Sequence, residues 1–167
     1  METELTKNNA VVAIAQDVLE RLSLHELHVA ENYYLRRIYD VLVGTNPSID
    51  ARELLTRIED KCTVCALGAC LLSYIRLYDD VKVNDLRNGM DESNIYRHLG
   101  KYFTPHQLKL IEVAFELSDR AGPVSVILNN DDYNAANTFG RGYEGPVGRL
   151  RAIMENIIAN DGVFKPG

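Results

Sequence analysis

Cys62 and Cys65 are the pair in this chain whose spacing most suggests chemistry. A C-x-x-C pair serves as a dithiol redox couple or as half of a zinc site. A zinc site needs two further ligands, and no second C-x-x-C exists to supply them. His25 and His28, within HELH, are the alternative donors, yet they lack the i, i+4 spacing of the zinc-protease HExxH motif. A thioredoxin-like βαβ context is also missing. The cysteines therefore read first as small residues buried at a helix contact, since free cysteine is among the most buried residue types.

The run Asn129–Asn134, NNDDYN, concentrates oxygen ligands suited to Ca²⁺ or Mg²⁺. It lacks the sixth-position Gly and twelfth-position Glu of an EF-hand loop, and Asn and Asp favour turns by bonding their own backbone. Further on, Gly140-Arg141-Gly142-Tyr143 matches neither a Walker loop nor a dinucleotide fingerprint. The whole of 129–145 is predicted as a long polar connection, a kind of segment that often carries function. Asp131, Asp132, Arg141 and Tyr143 are its candidate binding residues. Tyr33 and Tyr34, close to Tyr39 in a chain with nine tyrosines and no tryptophan, mark an alternative surface. Tyrosine joins large apolar area to a hydroxyl, which suits interfaces and core edges alike. No Ser/His/Asp or Cys/His arrangement and no carboxylate pair stands out, so no catalytic residue and no cofactor is predicted.

The elements that position these residues follow from helical periodicity. Val11, Ile14, Ala15, Val18, Leu19 and Leu22 form one stripe. Asp50 and Glu53 have capping-box spacing ahead of Leu54, Leu55 and Ile58. Glu92 to Leu99 reads as a short helix ending at Gly100. Thr104, Pro105 and Gln107 open another, with Leu108, Ile111, Ala114 and Phe115 on its buried face. Pro146 starts a last helix whose stripe is Leu150, Ile153, Met154, Ile157 and Ile158. Arg149, Arg151 and Glu155 turn away from that stripe, and Gly162 is a left-handed stop. Residues 28–43 and 123–128 fit helix or strand equally well.

Length and charge set the frame. The 167 residues suit one domain, and 46% hydrophobic with 25% charged residues predicts a real core. A net charge of −6 disfavours nucleic acid and anionic lipid, so Arg36-Arg37 and Arg149/Arg151 read as solvated helix faces. No apolar run reaches the roughly eighteen residues of a membrane span, and METELTKNNA lacks the order of a secretory signal. Three clustered cysteines do not form a secreted disulfide framework. A cytoplasmic protein is expected.

Lys61 to Tyr78, KCTVCALGACLLSYIRLY, is apolar or small at nearly every position and is predicted as one helix buried on most sides. Cys62, Cys65, Ala66, Ala69 and Ser73 form a small-residue face, extended by Gly68, that would admit another helix backbone closely. Its string CTVCALGA resembles the C-x-x-C-A-x-G-A signature of small helical proteins from bacteriophages and bacteria. The resemblance runs over Cys62 to Asp161, with His98-Leu99-Gly100 ahead of Thr104-Pro105 and a late Asn130-Asp131 pair. It implies an all-α fold and a phage or prophage setting, and carries no activity or site residue.

The expected architecture is thus a single all-α domain over residues 1–167. About six helices surround the cysteine helix, with room for one short strand or hairpin. The expected function is a non-enzymatic, phage-type accessory protein that binds and modulates a host or phage protein. The alternative is a metal- or small-ligand-binding protein using Cys62, Cys65 and the 129–145 segment, with His25 and His28 as further metal candidates.

Overall fold

A computed structural model describes residues 4–87, 92–118, 123 and 125–167. Among these residues the chain forms nine α-helices: α1 (Glu4–Ser23), α2 (Ile38–Leu42), α3 (Leu55–Lys61), α4 (Ala66–Tyr78), α5 (Val83–Arg87), α6 (Glu92–Leu99), α7 (Pro105–Glu116), α8 (Asn130–Arg141) and α9 (Gly145–Ala159). Six have eight or more residues; α2, α3 and α5 are short. Two two-residue strands, β1 (His28–Val29) and β2 (Thr63–Val64), pair in parallel. The fold is all-α, and no helix among the described residues is long and apolar enough to cross a membrane.

The cysteine segment gives the core its centre. From Ala66 to Ile75 every residue of α4 is buried, because α1, α3, α6 and α7 surround it. The predicted single helix from Cys62 is broken, however. Cys62 closes α3 through its N–H to the Ile58 carbonyl at 2.8 Å, Thr63 and Val64 are extended, and α4 begins after Cys65. β-Branched residues favour that extended stretch, and backbone partners on both of its sides satisfy it.

Several helix ends follow the expected chemistry. Thr104 Oγ1 accepts from the Gln107 N–H at 3.1 Å at the start of α7. The Gln107 side chain does not complete a capping box. Its amide donates to the Phe164 carbonyl (3.1 Å) and its carbonyl accepts from the Phe164 N–H (2.6 Å), satisfying a buried residue's peptide groups. Asn156 grips Lys165 the same way. Gly162, at φ +93°, turns the chain after α9. Asp50 makes no capping bond; it pairs with Lys82, and a 3-10 turn (Ala51–Leu54) leads into α3.

Three expectations are corrected. The segment 129–145 is not a loop: most of it is α8, capped by Asn129, whose side chain accepts from the Asp132 N–H at 2.8 Å. Its apolar stripe is made of small and half-buried residues, Tyr133, Ala136 and Phe139 with Gly140, and therefore lacks the aliphatic signal of the other helices. Arg149 does not face water but is 5% exposed, reaching across to α7. Residues 28–43 contribute β1 and then α2, whereas the described residues of 123–128 form neither helix nor strand.

Gly68 and Gly140 both mark close approaches. A Cβ at Gly68 would lie 1.8 Å from the Tyr34 carbonyl oxygen, so the neighbour there is a bend of irregular chain and not the expected helix. A Cβ at Gly140 would lie 1.9 Å from the Ala114 carbonyl oxygen, where α8 meets α7. Backbone cannot move aside as a flexible side chain can. Gly68→Ala and Gly140→Ala should each cost about 1–3 kcal/mol despite alanine's better helix propensity, lowering Tm by several degrees. Thermal unfolding followed by circular dichroism checks this; a raised Tm in either variant would remove the close approach at that site.

Candidate functional site

Residues 30–37 cross the head of α4 as a strap. The Ala30 N–H donates to Val64 O (3.0 Å), the Arg36 N–H to Thr63 O (2.8 Å), and the Cys65 N–H to Tyr33 O (2.7 Å). Thr63 is thereby held by β1 on one side and by Arg36 on the other, while Val64 pairs with β1. Asn32 (φ 78°) and Arg37 (φ 72°) are left-handed and form the two corners of the strap. Asparagine is one of the few residues that adopts this conformation readily.

Side chains tie the strap to α7 and α9. The Asn32 N–H donates to Glu116 Oε2 at 2.9 Å, and the Tyr34 hydroxyl donates to the Glu112 carboxylate, 3.2 Å from each oxygen. Glu31 pairs with the Arg149 guanidinium. Arg149 Nε also donates to Phe115 O (2.8 Å), one of the last carbonyls of α7, which lack partners within the helix. Its charge lies 5.7 Å from the centre of the Phe115 ring.

Glu112 is the chemically unusual group. It is 4% exposed, and burial pushes its pKa up to about 7 against the opposing hydroxyls of Tyr96 and Tyr34 and the Lys109 charge. Glu116 is raised as well, first by burial and then by Glu31, while the Asn32 N–H and Arg149 pull it down. Glu112 can hold or release a proton near neutrality. At 4% exposure Glu112 is closed to any substrate in this arrangement.

The outer face of the same region is open. The Arg36 guanidinium stacks 4.9 Å above the ring centre of Tyr33. Tyr39 is 59% and Val43 78% exposed, and with Leu42 and Arg87 they line a groove of about 320 Å³. Arg87 donates to the carbonyls of Leu42 (2.9 Å) and Thr45 (2.5 Å), and Arg57 to that of Val41 (3.4 Å). These arginines satisfy the end of α2 and hold the groove in shape.

The residues singled out from the sequence scatter around this frame. Tyr34 joins the Glu112 cluster; Tyr33 stays on the surface. Asp131 and Asp132 stand in the first turn of α8, and Asp132 Oδ2 lies 2.9 Å from His106 Nε2. Arg141 is in the last turn, its Nε donating to Asn137 Oδ1 at 2.6 Å, and the Tyr143 ring packs tilted against Phe139, with centres 5.2 Å apart. Asp131 and Arg141 are therefore roughly 15 Å apart along the helix axis and form no common loop site. His25 and His28 are exposed, whereas Cys62 and Cys65 are buried. Burial, with Asp40 adding to it, pushes the Cys62 thiol up to about 11; burial also raises Cys65. Among the described residues no three His, Cys, Asp or Glu side chains converge as metal ligands.

Sequence reasoning missed Glu112, Glu116, Tyr96 and Arg149. Lys109, Glu112 and Glu116 fall at i, i+3 and i+7, a spacing that reads as an ordinary solvated stripe. Its partners come from far along the chain, Tyr34 lying 78 positions before Glu112. The buried thiols give a direct test: Cys62→Ser with Cys65→Ser should remain folded, and elemental analysis of the purified protein should find zinc well below stoichiometric. Stoichiometric zinc, or unfolding on chelation, would reverse the assignment of these cysteines to packing.

Comparison with known protein families, curated proteins and solved structures finds no match to this chain.

Proposed function

We propose that this is a non-enzymatic interaction protein that binds another protein through the face formed by the strap and α2. The observation that carries the reading is the open groove beside Tyr39 and Val43, two large apolar side chains left in water on a rigidly held turn. Tyr33, stacked under Arg36, extends the face with the two residue types that dominate interface energetics. On the CTVCALGA resemblance alone, the proposal extends to a phage-type accessory factor acting in the cytoplasm on a host or phage protein.

The test places a photo-crosslinking residue at Tyr39 in one protein and at Tyr143 in another, and identifies what each captures from the host. Tyr39→Ala with Val43→Asp should weaken binding of the captured partner about 30-fold, equivalent to about 2 kcal/mol, with Tm unchanged because both side chains are exposed. Arg141→Ala with Tyr143→Ala should bind as the parent does. The opposite pattern would move the interface to the α8–α9 junction.

A further inference from the structure

We propose that the strap is a latch set by the proton on Glu112: closed while that carboxyl is neutral, loosened when it ionises. The inference is independent of any partner and stands on three observations. The strap is attached to α7 and α9 by side-chain ties, with Asn32 on Glu116, Tyr34 on Glu112 and Glu31 on Arg149. The carboxylate beneath it is nearly inaccessible. Of the hydroxyls that bond this carboxylate, that of Tyr34 is carried by the strap itself, 3.2 Å from each oxygen.

The groups facing Glu112 come from every element around it. Tyr34 reaches it from the strap and Tyr96 from α6, both as donors that favour the ionised form. On α7 itself, Lys109 favours the charge and Glu116 opposes it. From the head of α4 the Cys65 thiol, neutral and buried, adds no compensating charge. Arg149 on α9 faces Glu116 and Glu31. The balance leaves the neutral carboxyl favoured in the closed state: burial moves its pKa from 4.5 to about 7.

The direction of the pH effect follows. A carboxyl whose pKa is higher when covered stabilises the covered state fully below about 4.5, and that stabilisation fades as pH rises through about 7. Lifting the strap returns Glu112 to water and its ordinary pKa. Opening should therefore increase up to about 30-fold between about pH 5.5 and about pH 8.5.

Amide hydrogen exchange, corrected for the intrinsic pH dependence of the chemistry, reads this opening. The reporters are the N–H groups of Ala30, Asn32, Arg36 and Cys65, which the closed strap hydrogen-bonds. Their protection should fall with rising pH while that of α4 amides such as Leu72 does not. Glu112→Gln, nearly isosteric, should flatten the response, and Glu116→Gln should retain it. Tyr34→Phe, which removes one tie and little volume, should raise opening more at the higher pH than at the lower. A pH response shared equally by α4, one that persists in Glu112→Gln, or strap protection unchanged by Tyr34→Phe would each overturn the latch.

Discussion

The carbonyl oxygen of Tyr34 occupies the place where any side chain at position 68 would begin. The strap can lie across the head of α4 only because Gly68 has no Cβ, and the rest of the region is organised by that contact. At this depth the Tyr33 and Arg36 backbones meet Thr63 and Cys65, and the Tyr34 ring reaches α7. Raise the strap by the width of a methyl group and the tie to Glu112 goes as well. A single absent carbon thus connects the head of α4, the buried carboxylates and the exposed face of α2.

The interior of this protein carries more charge than its composition suggests. Glu112, Lys109 and Arg149 lie on or against α7, while on the far side of α4 Arg76 binds both Asp17 of α1 and Glu59 of α3. Such groups add little net stability compared with apolar residues of equal size, because desolvation consumes most of the attraction. Their geometry is demanding, however, and each joins elements that the hydrophobic core alone would allow to slide. Arg149 is the clearest case: one guanidinium serves the end of α7 and anchors the strap through Glu31.

Where local chemistry decides, the sequence was readable. Thr104 with Pro105, Pro146, and Gly162 locate helix ends, since a cap, a first-turn proline and a left-handed glycine act within a few residues. The aliphatic stripes of α1, α7 and α9 appear as expected, and α4 is the buried centre. What escaped depends on neighbours distant in the chain. Asp50 has the spacing of a cap but is drawn to Lys82. Gly140 falls in what reads as a long polar connection, yet there α8 approaches the α7 backbone too closely for a Cβ. Glu112 and Arg149 look solvent-facing by periodicity and are interior by tertiary arrangement. Of the binding candidates, Tyr34 alone belongs to the carboxylate cluster, and nothing short of the strap's path would have revealed its partner.

The pairing of β1 with β2 closes a loop of about 35 residues, whose chain-entropy cost is about 3 kcal/mol. Beyond the β1–β2 ladder itself, four backbone hydrogen bonds hold the strap to residues 63–65, at about 1 kcal/mol each once their lost bonds to water are counted. The miniature sheet therefore comes close to balancing the entropy of forming it. Whether the strap stays down is decided by the few side chains beneath it, and a sheet this small acts less as scaffold than as a hinge plate.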